Sequence, residues 1–127
     1  MDDPYASAAD DSGPPLTYAP TYSAVWGEIL SPTCALVFCH AGDSDFLQLP
    51  NKEGAYASLL APASGPQCGP TGLKRIEPGH PEQSLLYLKI TQPPCGAKMP
   101  AYYVDASLDP RQIEQIRAWI AAGAQND

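Results

Sequence analysis

Cys34-Ala35-Leu36-Val37-Phe38-Cys39-His40 puts two thiols and an imidazole on one short stretch, with the histidine directly after the second cysteine. Ahead of it, Thr21 can cap a helix whose apolar positions Tyr22, Val25, Trp26, Ile29 and Leu30 fall on one stripe. Pro32 reads as the end of that helix. The cysteine stretch is therefore expected to be a loop leaving the end of an amphipathic helix. Behind it, Ala41-Gly42-Asp43-Ser44-Asp45 is loop by composition, and the apolar Phe46, Leu47 and Leu49 lead to a turn at Pro50-Asn51.

Two cysteines followed at once by a histidine form the attachment signature of a c-type haem, here with four residues between the cysteines where two are usual. The chemistry asks for this order. Two thiols add across the two vinyl groups of a porphyrin, and the next residue is carried under the iron, where its imidazole serves as proximal ligand. The wider spacing requires a loop that bulges to keep both sulfurs on one haem edge.

The remaining segments are short helices between long loops. Glu53 to Leu60 reads as a helix with Tyr56, Leu59 and Leu60 inward, stopped by Pro62. Ala63 to Gly72 is rich in Gly, Pro and Ser, holds Cys68 and reads as loop. Ile76-Glu77-Pro78-Gly79 reads as a turn, after which Pro81 opens a helix through about Ile90 that buries Leu85, Leu88 and Tyr87. Pro93-Pro94 ends it, and Cys95-Gly96-Ala97-Lys98-Met99-Pro100 is a further loop. Asp109 caps the last helix, with Pro110 at its first position, Gln112 at the capping-box position, Ile113, Ile116 and Ile120 as its stripe, Trp119 beside them and Gly123 as its stop. Alternating strand patterns are almost lacking. Loops this long in so small a domain need something to pack on, and a buried cofactor or a disulfide would supply it.

The chain has 127 residues, the size of one small domain. Residues 1–20 hold Asp2, Asp3, Asp10 and Asp11, four prolines and no basic residue, and read as a disordered acidic, Pro-rich arm ahead of a domain at 21–127. The formal charge is −7, and beyond the arm ten acids face seven bases. That balance argues against nucleic acid or an anionic membrane as partner and favours a basic docking face on a partner protein. No run is long and apolar enough to cross a membrane, and the residues after Met1 do not form a signal peptide. Attachment of a c-type haem takes place outside the cytoplasm, so a periplasmic or extracellular location is expected, with a leader or lipid anchor already removed and the arm as a possible membrane tether.

Taken together, the helix, Cys34–His40, the Met99-Pro100 pair and the closing helix Gln112-Ile113-Glu114-Gln115-Ile116-Arg117-Ala118-Trp119-Ile120 resemble a class I monohaem cytochrome c. The likeness is greatest to small exported bacterial cytochrome c-like domains with a Cys-x4-Cys-His motif, and it covers about Thr21 to Gly123. It implies an all-α, cytochrome c-like fold of three to five short helices, with long loops around one covalently attached haem c. Cys34 and Cys39 would be the thioether attachments, and His40 and Met99 the axial iron ligands. Pro50 would accept the imidazole N–H through its carbonyl, and Arg75, Lys74, Tyr102 and Tyr103 would face the propionates. His80, between Gly79 and Pro81, reads as an exposed N-cap residue and a reserve distal ligand. Cys68 and Cys95 remain, and in an oxidising compartment they are expected to bridge, tethering the segment ahead of Met99. Trp26 and Trp119 are expected in the core where the terminal helices cross.

The implied function is electron transfer to redox partner proteins by a haem with His/Met ligation, and not catalysis. Three alternatives stay open from the residues. A labile Met99 would give a haem sensor or a peroxidase-like protein. Cys34, Cys39 and His40 with Cys68, Cys95 or His80 could hold zinc, although zinc sites usually pair their ligands in two short-spaced knuckles. A disulfide-stabilised binding module of cytochrome-like shape would hold no haem. No Gly-x-Ser-x-Gly, phosphate loop or His-Glu-x-x-His helix points to hydrolysis.

Overall fold

The first element begins where Thr21, in extended backbone, accepts the N–H of Ala24 on its hydroxyl and so caps α1, Tyr22–Val25. The computed structural model describes residues 16–34, 47–64, 66–99 and 108–127. The helix does not end at Pro32, as the sequence reading expects: from Trp26 it continues as a π-helix, Trp26–Cys34, with Pro32 inside it. In an α-helix the Pro32 ring would meet the carbonyl of Glu28 and its missing N–H would break the ladder. A π turn moves each acceptor one residue further back, so the chain keeps winding past the proline.

Asn51 caps α2, Lys52–Leu59, by accepting the Gly54 N–H at 2.7 Å. This helix starts one residue earlier than expected, and it buries Ala55 and Leu59 while Tyr56 and Leu60 are only half-buried. A short 3-10 turn at Gly69–Thr71 follows. The single helix expected from Pro81 to Ile90 is instead a 3-10 turn, Pro81–Gln83, and then α3, Leu85–Lys89. Ser84 breaks them. It sits fully buried in extended backbone, and its hydroxyl accepts the Glu77 N–H at 2.8 Å and lies 2.9 Å from the His80 carbonyl, to which it donates. That side chain satisfies the turn ahead of it rather than the helix after it. As a result Leu85 and Ile90 are buried, and Leu88 is half-buried.

The last helix, α4, Pro110–Ala121, matches its sequence signals closely. Asp109 accepts the N–H groups of Arg111 and Gln112, and the Gln112 side chain accepts the Asp109 N–H in return. Its end is a Schellman turn: Gly123, at φ +112°, donates to Ile120, and Ala124 donates to Trp119. Gln115, Ile116, Trp119 and Ile120 are buried, whereas Ile113 only packs on the rim. Among the described residues the protein is thus mostly helical, with four short α-helices and no strand beyond isolated bridges at Pro62–Lys74 and Lys74–Ser84.

The core sits where α1, α2 and α4 meet. Tyr22 stacks on Trp119 at 5.4 Å and meets Tyr56 edge-on at 5.0 Å, around Val25, Ile29, Leu30, Leu49, Leu59, Ile76 and Ile116. Each aromatic also hands its polar atom to backbone: Tyr22 Oη donates to the Lys52 carbonyl, Tyr56 Oη to Ala124 and Trp119 Nε1 to Gln125. Burial pushes the Tyr22 phenol up to about 12. Trp119 is core as expected, while Trp26 is half-buried at the edge.

Residues just ahead of Thr21, within the stretch read as the arm, are tied to this core. Glu28 accepts the Thr17 N–H, the Thr17 hydroxyl and the Tyr18 N–H. Tyr18 lies under the Arg111 guanidinium at 4.5 Å, and Gln115 Nε2 donates to the Ala19 carbonyl. Burial alone would raise the Glu28 carboxyl, but the Thr17 hydroxyl and the Tyr18 and Thr17 N–H groups outweigh it and hold it below its ordinary value. A depressed carboxylate stabilises fully above its unfolded pKa of about 4.3, and that contribution is lost as pH falls through the lower folded value. Amide exchange at Thr17 and Tyr18 should therefore quicken as acid protonates Glu28, and Glu28→Gln should quicken it already at neutral pH. Unchanged protection in the variant would mean that the carboxylate does not hold this segment.

Candidate functional site

Cys34 is the last residue of the π-helix, half-buried and packed against the core. The first thiol therefore stands on the helix itself, where the sequence reading expects a loop beginning after Pro32, because the π winding carries the chain past the proline. Rare π segments occur often at functional sites, because they rotate the residues beyond them relative to an α-helical course. Cys39, His40, Tyr102 and Tyr103 lie outside the described residues.

Met99 approaches the same core from the other end of the chain. It is half-buried and packs against the cluster, as do Trp26, Leu47, Leu86, Tyr87 and Leu108. Three ties fix the loop that carries it. Cys68 and Cys95 form a disulfide across 27 residues, with Cα atoms 5.2 Å apart, which agrees with the expected bridge. The Lys89 ammonium donates to the Cys95 carbonyl at 3.0 Å. The Met99 N–H donates to the Lys89 carbonyl at 2.7 Å. Lys89 thus holds both ends of the Cys95–Met99 loop, one with its side chain and one with its backbone. Gly96 sits inside this clasp at φ +65°, where a Cβ would come within 2.6 Å of Gln67 Oε1 and 2.9 Å of Lys89 Nζ. Those two side-chain ends could shift, but the left-handed φ favours glycine whatever the space.

Sequence reading missed Lys89 and Gly96. The available signal was a lysine in the last turn of a helix, where a cation finds free carbonyls, but nothing local says that the carbonyl belongs to Cys95.

The remaining candidates are dispersed. Arg75 donates to the Ser58 carbonyl at 3.0 Å and to Ser64 Oγ at 2.8 Å, so part of its guanidinium serves the end of α2 and the loop after it. Burial pulls both Arg75 and Lys89 below their ordinary values. Lys74 is exposed, with its backbone between Pro62 and Ser84. Pro50 is exposed just ahead of the Asn51 cap. His80 is the exposed residue before the Pro81–Gln83 turn, as expected, with Nδ1 3.2 Å from Glu82 Oε1.

No protein-family model, no curated protein and no solved structure matches this chain. The site is therefore judged on its own chemistry. The Met99 thioether and the Cys34 thiol each pack against the one apolar core, as do several half-buried aromatic and aliphatic side chains. Sulfur donors of this kind suit a soft metal or a haem iron better than a hard cation, which calls for carboxylates and carbonyls. Cys68 and Cys95 are joined to each other and so are not thiolate ligands for zinc.

Proposed function

We propose that this protein is a monohaem electron carrier of the class I cytochrome c type. The observation that carries the reading is the convergence of Cys34 and Met99, 65 positions apart in the chain, on one apolar core. Cys34 and Cys39 would hold the haem by thioether bonds, with His40 and Met99 as its axial ligands. When bound, the haem supplies a one-electron iron couple.

The chain's own residues do the rest. The half-buried Trp26, Leu47, Leu86, Tyr87 and Leu108 offer an apolar lining, which keeps water away and raises the reduction potential. The Lys89 and disulfide clasp holds the Met99 segment, and a thioether kept in position favours the reduced state. Arg75, with donors beyond the two hydrogen bonds it makes, and the exposed Lys74 are available to a propionate. A disulfide also fits the oxidising compartment in which c-type haem is attached.

The test is expression alongside haem-attachment machinery, followed by intact mass and oxidised and dithionite-reduced visible spectra. One added haem and a sharp reduced α-band are expected. Met99→Ala should keep the added mass, lose the Met–iron charge-transfer absorption of the oxidised form and lower the potential. Cys39→Ser should lower the covalent yield. A colourless chain at apo mass, made in cells that mature another cytochrome, would overturn the reading.

A further inference from the structure

The four cations between Lys74 and Lys98 are drawn together by the fold. Within residues 54–76 the only charged side chains are Lys74 and Arg75, and within residues 83–104 only Lys89 and Lys98. The Cys68–Cys95 disulfide joins these two segments. Backbone hydrogen bonds join them again, from Leu85 to the Lys74 carbonyl at 3.1 Å and from Leu86 to the Arg75 carbonyl at 2.8 Å. Lys89 stands at the far end of the same short helix, α3, roughly 6 Å from Leu85 at 1.5 Å per residue. Lys98 adjoins Met99, whose N–H returns to Lys89. The result is one basic lobe in a chain of charge −7.

None of the four is neutralised among the described residues. The carboxylate pairs there are His80–Glu82, Arg111–Asp109 and Arg117–Glu114, all on other elements. Lys89 and Arg75 are half-buried, yet their partners are a neutral carbonyl for the first and a carbonyl and a hydroxyl for the second. Lys74 and Lys98 are exposed beside them. Glu77, close in sequence, pairs with no lysine or arginine, and Glu82 is turned to His80. Neighbouring cations with no carboxylate partner among the described residues project a joint positive field.

We propose that the disulfide-joined lobe of Lys74, Arg75, Lys89 and Lys98 is the docking face for an acidic partner protein. The net charge of the chain favours a basic partner. The placement of the charges reverses that expectation for this face, because docking reads the local field at the contact and not the sum over the chain. If the haem reading holds, the face adjoins the Met99 segment, where a redox partner would need to approach. The face itself stands on the charge placement alone.

The test uses the full chain and a fluorescein-labelled oligoglutamate peptide, with binding followed by anisotropy across a range of salt. Binding is expected at low ionic strength despite the like net charges, and it should weaken steeply as salt is added. Lys74→Glu with Lys98→Glu should weaken it about tenfold or more. Lys52→Glu with Arg117→Glu, the same change in net charge on α2 and α4, should weaken it far less. No binding at low salt, or equal losses in the two double variants, would overturn the proposal. Tighter binding of a labelled oligothymidylate than of the peptide would overturn it too, in favour of nucleic acid. Haem content, read by mass, is a separate measurement, so failure here is distinguishable from failure of the electron-carrier reading.

Discussion

Trp119→Ala is expected to destabilise the protein by about 3–5 kcal/mol, the range for truncating a large buried aromatic. Trp119 is 1% exposed, and its ring is the surface on which α4 meets Tyr22 of α1. Its Nε1 donor also holds the tail at Gln125. Collapse around the void is restricted on two sides. Tyr22 is fixed by its own bond to Lys52 and by Tyr56, and Tyr56 in turn is bonded to Ala124. A domain of this size is commonly stable by about 5–15 kcal/mol, so the substitution removes a large share of that margin. At about 4–8 °C per kcal/mol for a domain near a hundred residues, the melting temperature should fall by roughly 12–40 °C. Trp119→Phe keeps a stacked ring and loses only part of the volume and the Nε1 bond, so it should lose clearly less. Urea and thermal unfolding followed by circular dichroism measure both. A loss below about 1 kcal/mol for the alanine variant would mean that the α1–α4 contact is not what closes this core.

That contact is also what connects the fold to the site. The stretch Trp26–Cys34 is the direct continuation of α1, so the position of Cys34 depends on the helix that Trp119 anchors. On the electron-carrier proposal, a destabilised α1 should lower the yield of haem attachment at Cys34, even though Trp119 itself is core.

How much of this was legible in the sequence depends on where the deciding interactions lie. The α4 boundaries were legible because Asp109, Pro110, Gln112 and Gly123 act within a few residues of themselves. The Thr21 cap was legible for the same reason. Pro32 misled because its usual effect assumes α-helical acceptors, and the change to π winding belongs to the whole segment rather than to the proline. Ser84 misled because its hydroxyl is taken by Glu77 and His80 across a turn, and helical periodicity through Leu85 and Leu88 carries no trace of that. Gln115 is polar yet buried, since its amide reaches back to Ala19, 96 positions away. At the site, the disulfide was expected from the two remaining cysteines, and Met99 was singled out as the lone loop methionine. The Lys89 clasp was not, because it exists only once the disulfide has brought the Cys95 loop against the end of α3.

Replacing Cys68 and Cys95 together by alanine gives the second large effect, about 3.5 kcal/mol from loop closure in the unfolded chain for a separation of 27 residues. The more informative consequence concerns Met99. If the bridge acts only by restricting the unfolded chain, the folded loop should keep its shape, because the Lys89 ammonium and the Lys89 carbonyl still hold Cys95 and Met99 positions. If the bridge also holds the native loop, its loss should loosen the segment ahead of Met99 in the folded protein. The structure favours the second outcome. Lys89 is a flexible side chain whose charge is partly desolvated, and burial works against the ammonium that makes the bond. Such a bond contributes a modest amount, whereas the disulfide is covalent and anchors Cys95 four residues from Met99. On the electron-carrier proposal, the haem-loaded double variant should therefore show a weakened Met–iron charge-transfer absorption in the oxidised form, together with the lost stability. Lys89→Met should give a smaller loss of both, since the bridge remains. An intact Met–iron signature in the double variant would assign the disulfide to stability alone and leave the clasp to Lys89. The loop would then owe its position to α3, and the test of that assignment would be the same spectrum in the triple variant.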